Sequence, residues 1–120
     1  MRSCVSVILV GSLAFLLGAR SAAAQDDLAK AGQLFKMYCA NCHGEKGDGT
    51  GPLGKTLVPP PRDFTKGDFK FGGTDEDLYQ VISNGAAAKG GSPMMAPWGA
   101  AIPEADRRSL IKFIRSLKKK

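Results

Sequence analysis

The chain has 120 residues, enough for one ordinary domain and too few for two. Its 17 Lys and Arg outnumber 11 Asp and Glu, giving a formal charge of +6, yet no part of it resembles a nucleic-acid module. Three cysteines and one histidine exclude a zinc site built from two cysteines and two histidines, and any multi-histidine metal centre.

Residues 1–24 read as a secretory signal peptide. Arg2 gives a positive start, residues 5–17 are almost wholly apolar, and Ala22-Ala23-Ala24 supplies a small-residue cleavage site. The apolar run is 13 residues, against the roughly 20 that span a bilayer. Cleavage after Ala24 is therefore expected rather than a retained anchor. Cys4 precedes the run, is not placed for lipid attachment, and would leave with the signal. The remaining domain, residues 25–120, has 96 residues and a charge of +4. Only 18 of the 96 are Leu, Ile, Val or Phe, close to the level associated with disorder. A domain this small with so few large apolar side chains needs a further element in its core, such as a disulfide, metal or cofactor.

Residues 26–38 form the first expected helix. Leu28, Ala31, Leu34, Phe35 and Tyr38 share one face, and Asp26 and Asp27 complement the dipole at its start. Gly32 inside it costs about 1 kcal/mol relative to alanine, which close approach by another element would explain. Residues 44–73 hold eight glycines and four prolines, and Pro59-Pro60-Pro61 excludes helix interior or central strand. A loop of that length is functional, disordered, or ordered around a cofactor. Gly47-Asp48-Gly49-Thr50-Gly51 lacks the strand and the Lys-Ser/Thr of a phosphate loop and reads as flexible chain. A second helix opens at Thr74 with a capping-box pattern ending in Asp77, carries Leu78, Val81 and Ile82, and stops at Asn84-Gly85. Residues 86–101 are again rich in glycine and proline. Residues 103–117 form the last helix, with Leu110, Phe113, Ile114 and Leu117 on one face. No period-two strand pattern occurs, so the expected fold is all-α: three to four short helices joined by long loops.

Cys39-Ala40-Asn41-Cys42-His43 is the strongest signal in the chain: C-x-x-C-H, the attachment sequence for c-type haem. Two thiols must add to two vinyl groups on one porphyrin edge, and the next residue then places an imidazole under the iron. A thioredoxin-like C-x-x-C would follow a strand and open a helix, whereas this one ends a helix. A four-cysteine zinc site lacks its second pair, and a plain disulfide would leave the thin core unexplained. With one histidine, bis-histidine ligation within the chain is excluded. Met37 precedes the motif on the same helix, cannot reach across a porphyrin, and is expected in the core. Met94 and Met95, flanked by Pro93 and Pro97, can supply a thioether to the other face, and a Met/His pair raises the potential over bis-histidine. Arg62 can meet a haem propionate or pair locally with Asp63. Lys30, Lys36, Lys46, Lys55 and Lys89 either ring the exposed haem edge or are scattered solvating charge.

On these residues, the domain from 25 to 120 resembles a class I c-type cytochrome. In that family an N-terminal helix runs straight into C-x-x-C-H, and its glycine and aromatic cross the C-terminal helix near an aromatic. The resemblance thus implies that Gly32 and Phe35 meet Phe113. It implies covalent haem c on Cys39 and Cys42, iron held by His43 and by Met95 ahead of Met94, and Trp98 packed on the haem. Met95-Ala96-Pro97-Trp98 matches the family's Met-Pro-x-aromatic pattern with the proline displaced by one. A proline carbonyl holding the imidazole N–H is implied at Pro52, with Pro59, Pro60 and Pro61 as alternatives.

The function so implied is single-electron transfer in the periplasm by a monohaem carrier that is not an enzyme. A dedicated haem subunit of a larger membrane or periplasmic oxidoreductase is the alternative. The expected partners are redox proteins with acidic docking faces, met by a monomer that does not span the membrane once the signal is cleaved.

Overall fold

The computed structural model describes residues 14–120, with side-chain environments from residue 22 onward. The positive start of the expected signal peptide and most of its apolar run therefore lie outside the described residues. Four α-helices follow in order: α1 Ala14–Tyr38, α2 Ala40–His43, α3 Asp75–Asn84 and α4 Glu104–Ser116. Single 3-10 turns occur at Gly54–Thr56, Phe64–Lys66 and Ala86–Lys89. The architecture is all-α, with no strand among the described residues.

α1 begins at Ala14, well before the expected residue 26, and runs unbroken through Ala22-Ala23-Ala24. Alanine is the strongest helix former, and the stretch contains no proline to stop it. Residues 22–30 are exposed; only from Ala31 does α1 enter the core.

There α1 crosses α4. Phe35 and Ala31 are fully buried, and the Phe35 ring stands 5.3 Å from that of Phe113. A Cβ at Gly32 would lie 3.0 Å from the Phe113 ring, so the absent side chain is what lets the helices approach, as expected. Met37 corrects an expectation: it is 70% exposed and not part of the core. At about 100° per residue it projects almost opposite Phe35.

α4 buries Leu110, Ile111 and Ile114, and α3 contributes Leu78 and Ile82. The buried face of α4 is broader than the expected stripe and includes Arg107, because this helix packs against both α1 and α3. The capping box forms as the sequence suggests: the Asp77 amide donates to Thr74 Oγ1 at 3.1 Å, and the Thr74 amide donates to Asp77 Oδ2 at 3.2 Å.

The long loop after α2 wraps the preceding turn. Gly49, Gly51 and Leu53 amides donate to the carbonyls of His43, Cys42 and Asn41, at 2.8, 3.2 and 2.9 Å. These bonds satisfy acceptors that a helix end leaves free. Gly54 packs so tightly on the Cys42 carbonyl that any side chain there would collide with it.

Candidate functional site

The end of α1 and the turn of α2 carry the C-x-x-C-H motif. The chain breaks its helix at Cys39 and resumes at once, with the His43 amide donating to the Cys39 carbonyl at 2.9 Å. Both cysteines are half-buried free thiols facing one cavity of about 670 Å³. Burial, together with the neighbouring Cys42, pushes the Cys39 thiol up to about 12, so it is held protonated.

His43 is buried against the same cavity. Desolvation lowers its pKa, and the Arg62 carbonyl offsets this in part. The neutral ring donates from Nδ1 to the Arg62 carbonyl at 3.1 Å, which leaves the Nε2 lone pair free for a metal. Phe64 stacks on the imidazole with centroids 4.5 Å apart at 17°, fixing the plane of the ring.

This corrects the expected second partner of His43. Pro52 is exposed on the outer side of the wrapping loop and does not line the cavity. The acceptor is neither Pro52 nor Pro59, Pro60 or Pro61 but the next residue, Arg62. The Phe64 amide donates to the Gly47 carbonyl at 2.7 Å, and this bond docks the segment beneath the ring. Neither the Arg62 carbonyl as acceptor nor Phe64 as stacking partner was foreseen. The adjoining triple proline, which limits the backbone there, was the one signal available.

Phe35, Leu78, Ile82, Ile102, Leu110 and Ile114 make an apolar part of the cavity wall, and Asp48, Asp63, Asp68 and Asp77 are among its polar residues. Met94, 55% exposed, Met95, half-buried, and Trp98, whose ring tilts against Tyr38 at 5.3 Å, line the cavity too. The Arg62 side chain lines the cavity and pairs with Asp68 at 3.2 Å rather than with Asp63. Lys66 and Lys70 are the other basic residues on the cavity. Lys30, Lys36, Lys46, Lys55 and Lys89 are not on its wall; Lys30 pairs with Asp106 and Lys89 with Asp77.

The residues fit a haem. The cavity is large enough for such a ligand, two thiols and two thioethers line it, and an oriented neutral imidazole offers a nitrogen. A helical domain whose core is completed in this way is a c-type cytochrome domain.

Comparison with known proteins agrees. Residues 26–114 match the family described as cytochrome c oxidase, cbb3-type, subunit III, and the chain belongs to that family. It is similar to the cbb3-type cytochrome c oxidase subunit FixP of Azorhizobium caulinodans, with 31% identity over 73% of this chain and 26% of that protein. Similarity to subunit CcoP of Azospirillum brasilense is 30% over 70% of this chain and 26% of the relative. The chain thus spans about a quarter of the length of these relatives. Among solved structures, a chain of the reducing HAO-like protein complex of Kuenenia stuttgartiensis superposes with a TM-score of 0.64 and 37% identity, over 74% of this chain and 41% of that one. The domain is an electron-transfer module and carries covalently bound haem c with iron.

Proposed function

We propose that the chain passes single electrons between redox proteins in the periplasm, with Cys39 and Cys42 as the thioether attachments, His43 as proximal ligand and Met95 as distal ligand. The observation carrying this reading is that one cavity gathers all four side chains. Bound there, the haem supplies a one-electron ferric/ferrous couple.

The chain's own residues do the rest. The Arg62 carbonyl and the Phe64 ring hold His43 in one tautomer and one plane, so the ligand has little to rearrange between oxidation states. Phe35, Leu78, Ile82, Ile102, Leu110 and Ile114 give the haem an apolar bed, and Trp98 packs at the distal edge. Arg62, Lys66 and Lys70 line the cavity beside Asp48, Asp63, Asp68 and Asp77, so the charge suited to acidic partner faces is the +4 of residues 25–120 as a whole. No described helix is long and apolar enough to cross a membrane. Residues 1–24 act as a signal, and the domain from 25 to 120 works as a monomer.

A second reading, a haem subunit within a larger complex, is favoured by the relatives, which are named as oxidase subunits. A monomer on size exclusion supports the shuttle, and co-purification with an oxidoreductase supports the subunit. The deciding test of the site is a redox-titrated visible spectrum. A covalent haem c spectrum with a sulfur-to-iron charge-transfer band in the ferric state is expected; its replacement by an open-iron spectrum with rapid carbon monoxide binding would overturn the Met95 assignment.

A further inference from the structure

Arg107 is a buried cation in the first half of α4, and nothing in the attachment site uses it. A residue facing a core of Leu110, Ile111 and Ile114 would ordinarily be aliphatic. Among the described residues Arg107 forms no ion pair, and its Nε–H has no partner. Burying such a group is unfavourable unless its other hydrogens are well used.

They are used on the distal loop. Arg107 Nη1 donates to the Gly99 carbonyl at 2.7 Å and also to the Ile102 carbonyl. Nη2 donates to the Tyr79 hydroxyl on α3 at 2.7 Å, and the guanidinium lies 5.1 Å from the centroid of the Tyr79 ring. The same loop is tied on its other side by donors. The Trp98 and Gly99 amides donate to the Ile82 and Ser83 carbonyls at the end of α3, at 2.9 and 3.0 Å. Met95 itself is held by the Ala86 amide, which donates to its carbonyl at 3.1 Å, while the segment three to seven residues further on is tied to α3 through the Trp98 and Gly99 amides and to α4 through the Gly99 and Ile102 carbonyls.

We propose that Arg107 is a positioning residue that holds the Met95 loop closed over the cavity by binding the Gly99 and Ile102 carbonyls from α4. The proposal rests on Met95 being the distal ligand. Hydrogen bonds from a charged donor are each worth about tenfold or more in an equilibrium. Removing two to the loop raises its open population by at least about that factor.

The test uses the haem-loaded protein and its variants, with two readouts: the ferric sulfur-to-iron charge-transfer band and the rate of carbon monoxide binding to the ferrous protein. Arg107→Met is expected to bind carbon monoxide about tenfold faster or more, and to lose the band on warming before the helices melt, with haem attachment unchanged. Arg107→Lys keeps the charge but loses the two-pronged donor, and should fall between the two. It carries the test if Arg107→Met does not fold. Lys112→Met removes the same charge from an exposed residue of α4 that lies beside α1, and should behave as the unmodified protein. Unchanged binding rate and band in Arg107→Met or, if only that variant folds, in Arg107→Lys would overturn the proposal. So would an equal effect from Lys112→Met, which would make the effect one of charge alone. An unmodified protein that itself lacks the band and binds carbon monoxide rapidly overturns the Met95 reading, and this proposal with it.

Discussion

A thioether serves as an iron ligand only if it faces the cavity and is shielded from water, and the two adjacent methionines differ in this. Met95 is half-buried, while Met94 is 55% exposed. Met95→Ala is expected to abolish the charge-transfer band and lower the potential, on a scale where axial ligands span about 0.8 V. Met94→Ala should keep the band and cost under about 1 kcal/mol in a thermal melt; loss of the band in that variant instead reverses the assignment. Three carboxylates have pH consequences. Hydrogen bonds from Thr50, Thr65 and Thr74, foremost from their hydroxyls, lower the pKa values of Asp48, Asp63 and Asp77. The folded-state values lie below the unfolded ones, so this stabilisation is present above about pH 4 and is lost as pH falls through the folded values. Thermal melts should therefore drop on acidification below about pH 5, beyond the fall that the buried, neutral His43 already causes as pH drops from 7, with a smaller drop there in Asp77→Asn; an equal drop would remove Asp77 from the account. At this scale the attachment motif was legible in the sequence, because its chemistry lies in five consecutive residues. The partner of His43 was not, because it is a backbone carbonyl, and the side chain of Arg62 carries no information about where its carbonyl points.

Helices cross closely only where one of them gives up side-chain volume, and Gly32 against Phe113 is that place. Gly32→Leu should destabilise the fold by about 1–3 kcal/mol through overpacking, a fall in Tm of several degrees or more for a domain of this size. Adding Phe113→Leu should recover part of the loss. Strict additivity of the two substitutions would show that the residues do not meet across the interface. A costly glycine inside an amphipathic helix left close approach and tolerated weakness both open, and the resemblance to class I cytochromes c supplied Phe113 as the partner. α3 was readable from its capping box and its Asn84-Gly85 stop. Two features were not. The start of α1 differs because alanine-rich sequence favours helix whether or not it is destined for removal. The buried face of α4 is wider than one stripe because the helix serves two neighbours, and a periodic pattern in one segment does not reveal how many elements pack on it.

For the whole domain, the core is a shell around the cavity. Phe35, Leu78, Ile82, Ile102, Leu110 and Ile114 are buried, yet each also faces the cavity. The shortage of large apolar residues in the sequence is thus met by the cofactor; composition pointed to a further core element, and the attachment motif said which. Replacing both Cys39 and Cys42 with Ala should abolish attachment and leave the chain largely unfolded; native-like helical circular dichroism with a cooperative melt would show that the protein shell suffices. Charge acts over the same scale. Residues 25–120 carry +4, while at the cavity Arg62, Lys66 and Lys70 are balanced by Asp48, Asp63, Asp68 and Asp77. An exposed field of this kind reaches about 10 Å at 0.1 M salt and about 3 Å at 1 M. Electron exchange with an acidic partner should therefore slow several-fold between low and high ionic strength, because steering of the encounter is screened. Lys66→Glu and Lys70→Glu should flatten that salt dependence more than Lys36→Glu or Lys55→Glu, which change the same net charge away from the cavity wall. Equal flattening by all four would assign the effect to net charge alone, and a second-order rate that ignores salt would remove electrostatic steering while leaving electron transfer itself intact.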